Sequence, residues 1–379
     1  MTNQDIYDLA IVGGGLAGLA LAIQVAQKNH KVILFEKEQY PFHRVCGEYI
    51  SMESWDFLNE LGVDLNSLKV SRIDKLEVSS VNGLLLKEKL PLGGFGISRY
   101  NLDHRLAQVA KEKGVLICEN TRVNEISFSD NNFLLESSHG FFNAKVAAGC
   151  YGKRSNIDIK WKRPFVTAKK NKLNNYVGVK YHIHSDFPDD TIALHNFKNG
   201  YCGIVKVEED KYCLCYLTTA VNLQNSGGDL KKMERNILSE NLHLKKIWEE
   251  SDMISKEPVT ISQISFDKKA QVENHVMMVG DAAGMITPLC GNGMSMALHA
   301  SKIAAEQILL FLEGAISREG MEQNYQQQWQ QLFSSRLRMG RMIQRLFGKK
   351  WLTDSFLMVI KPFPGLVKTL IRQTHGQPF

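Results

Sequence analysis

Residues 8–36 read DLAIVGGGLAGLALAIQVAQKNHKVILFE, and few stretches of this length leave a chain so little choice of fold. Leu9 to Val12 is a short apolar run suited to a buried parallel strand. Gly13, Gly15 and Gly18 follow with GxGxxG spacing, and a helical stretch rich in Ala and Leu runs from Leu16 to about Lys28. A second apolar run, Val32 to Phe35, ends in Glu36. Gly13 permits a tight turn off the strand, Gly15 lets a pyrophosphate approach the backbone, and Gly18 lets the helix pack closely on the sheet. The start of the helix, at Leu16 and Ala17, offers free N–H groups and a partial positive charge to phosphates. Glu36 stands where a carboxylate accepts hydrogen bonds from an adenosine ribose. The unit is a nucleotide grip, and alone it does not separate NAD from FAD.

A second segment does. Residues 275–298 read HVMMVGDAAGMITPLCGNGMSMAL. Val276 to Val279 is another buried-strand run with Gly280-Asp281 at its end. A loop bearing Gly and Pro continues through Gly293, and from Met294 a helical pattern runs to about Leu312. A nucleotide-sized loop so far from the first implies a long cofactor reaching across one domain.

GxGxxG near the start with a late GDAAG…P…GxG resembles the large FAD-dependent family that includes aromatic-ring hydroxylases, group A flavoprotein monooxygenases and geranylgeranyl reductases. The resemblance covers most of residues 5–315. It implies that Asp281, after Gly280, bonds the ribityl or pyrophosphate part of FAD, and that the Pro288, Gly291, Asn292 and Gly293 loop runs beside the isoalloxazine. It implies that the next helix aims its N-terminus at the flavin N1–C2=O edge, favouring the anionic reduced ring. In ISRYNLDHRLAQVAKEKG, residues 97–114, the family position for an arginine on the cofactor phosphates or ribose is matched to Arg105; a solvated helix arginine is the other reading. Val123 is carried over as a further cofactor contact. AAGCYGKRS, residues 147–155, resembles the family's second fingerprint at Gly149, Gly152 and Ser155, with Tyr151 in place of the Asp. That departure weakens any inference of direct nicotinamide binding. NAD(P)H or another electron donor is therefore left open.

The geranylgeranyl reductases carry a proline, four residues, then Cys-Gly where this chain has Pro41 and Cys46-Gly47. The resemblance implies that Cys46 and Gly47 lie near the isoalloxazine and substrate, with Arg44 able to meet the pyrophosphate. Cys46 has three open roles: a proton relay, a small soft hydrophobe shaping the pocket, or a bystander. Glu48 is an alternative acid, with a solvated or salt-bridged carboxylate as the plainer reading. Cys213 and Cys215 alternate within KYCLCYL and read as core; Cys290 is a pocket-lining candidate, and Cys118 and Cys150 read as packing.

Residues 175–219 hold successive strand-like runs separated by turn-prone pieces, and 76–96 adds strands, so a separate antiparallel sheet is expected over the flavin. Lys180, His182 and His184 alternate and share a face, where solvated strand polars are the commoner outcome. No spacing completes a metal site. The reductases' YxWxFP is matched only at Tyr201, which puts a polyprenyl substrate in doubt, and WxWxIP, the halogenase mark, does not occur.

With 379 residues the chain exceeds the roughly 250–300 at which single cores stop growing. The expected layout is an FAD-binding domain from 1–75, 97–160 and 270–315, a substrate domain from 76–96 and 161–269, and C-terminal helices over 316–379. The net charge of +6 is uneven: residues 335–379 hold nine Lys and Arg against one acid, Asp354, leaving the rest near neutral, which argues against nucleic acid as a partner. Met339, Met342, Ile343, Leu346 and Phe347 fall on one helical face there and Arg338, Arg341, Arg345 and Lys349 on another. This is a candidate peripheral membrane contact. The alternative is a helix closing over the substrate lobe, and the two can coexist. Seven cysteines without CxxC spacing, no leader-like start and no long apolar run suggest a cytoplasmic protein, at the inner face of the membrane if the tail acts.

The expectation is an α/β protein with a Rossmann-like FAD-binding domain, an antiparallel substrate sheet and a C-terminal helical tail. It acts as an FAD-dependent oxidoreductase that reduces or dehydrogenates C=C bonds of a lipophilic isoprenoid or polyketide-type molecule. The alternative is a flavin monooxygenase hydroxylating a phenolic or alkylphenol compound.

Overall fold

The computed structural model describes residues 6–167, 176–255 and 257–379, so the first five residues and Asn175, which opens the 175–219 run, lie outside the described residues. Two sheets organise the chain. In the first, the order is Val272–Glu273, Val276–Met278, Gly140–Gly149, Ile6–Val12, Val32–Phe35 and Leu116–Cys118. The central strands pair in parallel, with Leu9 opposite both Val32 and Val146 and Met278 opposite Gly149. The apolar run at Leu9–Val12 is buried on both faces, as a central parallel strand requires. The glycine turn and Gly280-Asp281 therefore leave the carboxyl ends of strands separated only by Gly140–Gly149, the place where open parallel sheets hold ligands.

The helix Leu16–Ala26 is buried at ten of its positions because it lies between this sheet and the helix Gly293–Leu312. A Cβ on Gly18 would collide with the Gly13 carbonyl, which explains the glycine there.

Among the described residues the second sheet has nine strands, including Tyr49–Ser51, Ser71–Ser79, Leu85–Gly96, Tyr176–His184, Thr191–Phe197, Gly200–Lys206 and Tyr212–Thr219. Most neighbours are antiparallel, but Thr191–Phe197 runs parallel to Ser71–Ser79, so the sheet is mixed rather than purely antiparallel. Those two strands are joined by a long excursion through the first sheet, and a crossover, unlike a hairpin, permits parallel pairing. Tyr49–Ser51 pairs with Leu85–Gly96, so the Pro41–Glu48 segment bridges the two sheets.

The C-terminal helices belong to both lobes. Met321, Tyr325, Trp329 and Phe333 recur every four residues along Arg318–Leu346 and join the first core. Full burial of each such side chain stabilises by about 1.5–3 kcal/mol. Leu357 and Ile360 of Lys350–Ile360, and Val367 of Pro364–Thr374, pack on Val78 and Leu86 of the second sheet. Among the described residues, no helix is long and apolar enough to cross a membrane.

Candidate functional site

The early and late loops converge. A Cβ on Gly280 would lie 3.1 Å from the Ala17 side chain and 3.5 Å from that of Ala297. Gly13 turns with φ +108, and a Cβ there would meet the Cys150 carbonyl at 2.5 Å. The helix beginning at Leu16 has no side-chain cap on its N–H groups, and neither does the one beginning at Gly293 after Asn292. Two uncapped helix starts close together form an anion cradle.

Charge around the cradle is arranged in series. The Gly14 N–H donates to Glu36 (2.9 Å), and Arg44 donates to the same oxygen (2.8 Å). Arg44 also donates to Asp103 (3.1 Å), which accepts two bonds from Arg99 at 2.7 Å each. A Cβ on Gly15 would face only the Arg99 guanidinium, at 3.5 Å. Arg99 thus stands over the glycine turn, and its charge counteracts the burial that raises the Asp281 carboxyl above the usual range. Arg105 is not brought to the turn; it bonds Gln108 on the exposed side of the helix. Six residues at about 100° each place Arg105 on a different face from Arg99. Sequence reasoning missed Arg99 and Asp103, although their i,i+4 spacing on the Arg99–Glu112 helix was a usable signal. Val123 begins a strand just beyond Thr121, whose N–H donates to the Glu36 carbonyl (2.8 Å), so it lies on the Glu36 side of the cradle.

These residues fit FAD. The cradle suits a pyrophosphate, Glu36 suits a ribose, and a side chain added at Gly47 would meet nothing within 4 Å, leaving room for a flat ring. Arg44 and Glu36 are already paired, so phosphate and ribose would enter an existing charge network.

Beyond Gly47 lies a buried ion cluster. Glu48 takes a left-handed backbone (φ 55) and is 0% exposed. One carboxylate oxygen accepts from Lys180, itself 2% exposed, and from the Arg99 N–H (2.8 Å); the other contacts His182 Nε2 at 2.7 Å. Although burial pushes the Glu48 carboxyl up, Lys180 and His182 more than offset it and hold the group at about 2. Lys180 and His182 are therefore not solvated strand polars; only His184 is exposed, bonded to the Asp210 carbonyl. Glu48, His182 and Cys213 could together ligate a metal, but Lys180 already occupies the carboxylate that such an ion would need.

Three cysteines gather here. Cys46 is half-buried, with Sγ 3.5 Å from Met294 Sδ. Burial raises its thiol, with Arg99 pulling the other way, so it keeps its proton at neutral pH. Cys213 donates to the Cys46 carbonyl (3.3 Å), and burial pushes Cys215 up to about 12. This pair faces the site segment, a placement that alternation alone did not reveal. Cys290 lies by Thr287 in the late loop, and burial pushes it up to about 11.

Pro288, Leu289, Cys290 and Gly291 form one wall of an apolar cavity with about 860 Å3 of empty space including its open mouth. Leu76, Val78, Leu86, Leu90, Ile192 and Leu194 of the second sheet form another, and the C-terminal helices close it with Leu357, Ile360, Val367 and Ile371. Tyr49, Thr374 and His375 supply its few polar groups. Gly291 adopts φ 62 against the Tyr49 ring, and Asn292 bonds Glu53. Tyr201 packs on Leu289 with its hydroxyl buried and, among the described residues, unpartnered. Tyr151, in the second fingerprint, donates to Asp158 (2.9 Å), which also accepts from the fully buried Arg163 (2.9 Å).

Comparison with known proteins agrees with this geometry. The family model described as "FAD binding domain" matches residues 7–332. Conditioned medium factor receptor 1 of Dictyostelium discoideum is 26% identical over 372 residues, covering 91% of this chain and 71% of the relative. Digeranylgeranylglycerophospholipid reductase of Methanosarcina acetivorans is 24% identical, covering 91% and 85%. The crystal structure of a flavoprotein/dehydrogenase from Cytophaga hutchinsonii superposes with a TM-score of 0.78 at 15% identity, covering 96% of this chain and 92% of that one.

Proposed function

Because the chain belongs to the FAD-binding-domain family of oxidoreductases, we propose that it reduces or dehydrogenates a C=C bond in a lipophilic, isoprenoid or polyketide-type substrate. The carrying observation is the apolar cavity that reaches from the Pro288–Gly291 loop into the second sheet. Its lining is almost wholly hydrocarbon, so it rewards burial of an apolar chain at about 25 cal/mol for each Å2 removed from water. The reductase relative from Methanosarcina acetivorans carries a name consistent with such a substrate.

Bound FAD would supply the hydride chemistry that no side chain can. The rest falls to the chain. Arg99, Arg44 and the start of the Leu16 helix would hold and orient the phosphates, and the start of the Gly293 helix would face the ring. Gly47 leaves the approach to the ring open. In reduction a hydride adds to one alkene carbon and a proton to the other. Cys46 Sγ carries a proton at neutral pH and lies beside Gly47. The Glu48–Lys180–His182 cluster stiffens the segment that presents both. NAD(P)H or another donor returns the electrons; Tyr151, bonded to Asp158, stands where relatives' fingerprint has an Asp.

A second reading, hydroxylation of a phenolic or alkylphenol compound, is favoured by Thr374 and His375, which give the cavity one polar margin suited to a phenol. Mass analysis of lipids extracted from the purified yellow protein names the candidate substrate. Turnover with that lipid then separates the readings. Reduction shifts its mass by two hydrogens and proceeds without O2, whereas hydroxylation inserts one oxygen and stops without it. Oxygen-dependent insertion would refute the first reading.

A further inference from the structure

The two helices that close the cavity turn a different face outward. Trp351 is 70% exposed, Val359 63%, Phe363 60% and Met358 56%, with Leu366 and Met342 nearby. These large apolar side chains crowd into residues 342–366, within the last turns of Arg318–Leu346, the helix Lys350–Ile360, and the start of Pro364–Thr374. Exposed cations accompany them: Arg338, Arg345, Lys349, Lys350, Lys361, Lys368 and Arg372. Asp354, the sole acid of residues 335–379, is engaged with Asn82. So many large apolar side chains left in water within one short segment call for a partner surface.

We propose that this face docks on an anionic lipid bilayer, with the turn Lys361–Phe363 entering the headgroup region and the cations resting on lipid phosphates. Charge complementarity selects this occupant. Seven exposed cations in the same segment as exposed Trp351 and Phe363 suit an anionic interface, where aromatic side chains settle at headgroup depth. A second copy of the same face would instead bring those cations against one another. The opposite faces of the same helices carry Leu357, Ile360, Val367 and Ile371 into the cavity wall, so docking sets the cavity directly behind the lipid contact. The inference rests on the surface alone and stands whether the enzyme reduces or hydroxylates its substrate.

The test is flotation of the full-length flavoprotein with vesicles of phosphatidylcholine containing 30 mol% phosphatidylglycerol, and with pure phosphatidylcholine, at about 50 mM salt, where surface charge is weakly screened. The protein should float with the anionic vesicles and stay down with the neutral ones. Lys361→Gln with Lys368→Gln should lower the partition about 25-fold, near five-fold for each cation. Trp351→Ala with Phe363→Ala should lower it about ten-fold or more. Phe141→Ala, an aromatic 53% exposed on the nucleotide lobe, should leave it unchanged. Unchanged melting temperatures for these surface variants show that folding is intact. Equal flotation of all variants, equal binding to neutral vesicles, or a dimer in gel filtration that only the Trp351 and Phe363 changes dissolve would each overturn the proposal.

Discussion

Replacing Glu48 with Gln tests the ion cluster most directly. Glu48 is fully buried, yet against that burial Lys180 and His182 hold its carboxyl at about 2, well below the ordinary carboxylate value. A depression of that size corresponds to roughly 3 kcal/mol at neutral pH. That agrees with the range of about 3–5 kcal/mol for breaking a buried pair by removing one partner. Here the stranded partner is Lys180. Unfolding entropy near 2.1 cal/mol/K per residue gives about 0.8 kcal/mol/K for a chain of this length, so Glu48→Gln should lower the melting temperature by about 4 °C at pH 7. Because the folded pKa is depressed, the stabilisation is complete above about pH 4.5 and disappears as pH falls toward 2. At pH 3.5 a sizeable part of the gap between wild type and variant should already be gone. Adding Lys180→Met to Glu48→Gln should restore most of the loss, because the unpaired ammonium is then absent. Differential scanning fluorimetry on wild type, Glu48→Gln, Lys180→Met and the double variant from pH 3.5 to 8 measures this. A shift below 1 °C at pH 7, or a double variant worse than either single one, would show that the pair does not hold this segment.

Arg99→Met should weaken FAD binding about ten- to hundred-fold, the worth of a charge-assisted bond to phosphate, while Arg105→Met stays within about two-fold of wild type. Flavin fluorescence titration of the apoprotein reads both, and a stronger effect from Arg105 would reverse the assignment. Leu194→Trp should fill the cavity and reduce co-purifying lipid about five-fold or more, with flavin content unchanged; undiminished lipid would place the substrate elsewhere.

The nucleotide lobe was legible because each of its parts has a local cause. Gly13 and Gly18 answer to backbone contacts, and Leu9–Val12 to burial on both faces. The helix expected from about Met294 to Leu312 spans Gly293–Leu312 for the same reason. The ion cluster was illegible because it is assembled across sheets. Glu48 lies on the bridging segment and Lys180 on a strand 132 residues later, so alternation on that strand alone looked like a wet face. Arg105 and Arg99 both sit on one amphipathic helix, and composition could not say which of them met the glycine turn. The direction of the Cys213 and Cys215 face likewise depended on where the Cys46 segment crosses, a tertiary fact.

The outer wall of the cavity comes from one contiguous stretch at the end of the fold, whereas the nucleotide cradle is assembled from segments before residue 124, around Cys150 and around 280–293. Exchange of residues 350–374 between relatives can therefore lengthen, shorten or narrow the chamber without disturbing a single bond around Gly13 or Arg99. Substrate range and cofactor chemistry can diverge independently in such a molecule, because the outer wall of the chamber and the nucleotide grip share no segment.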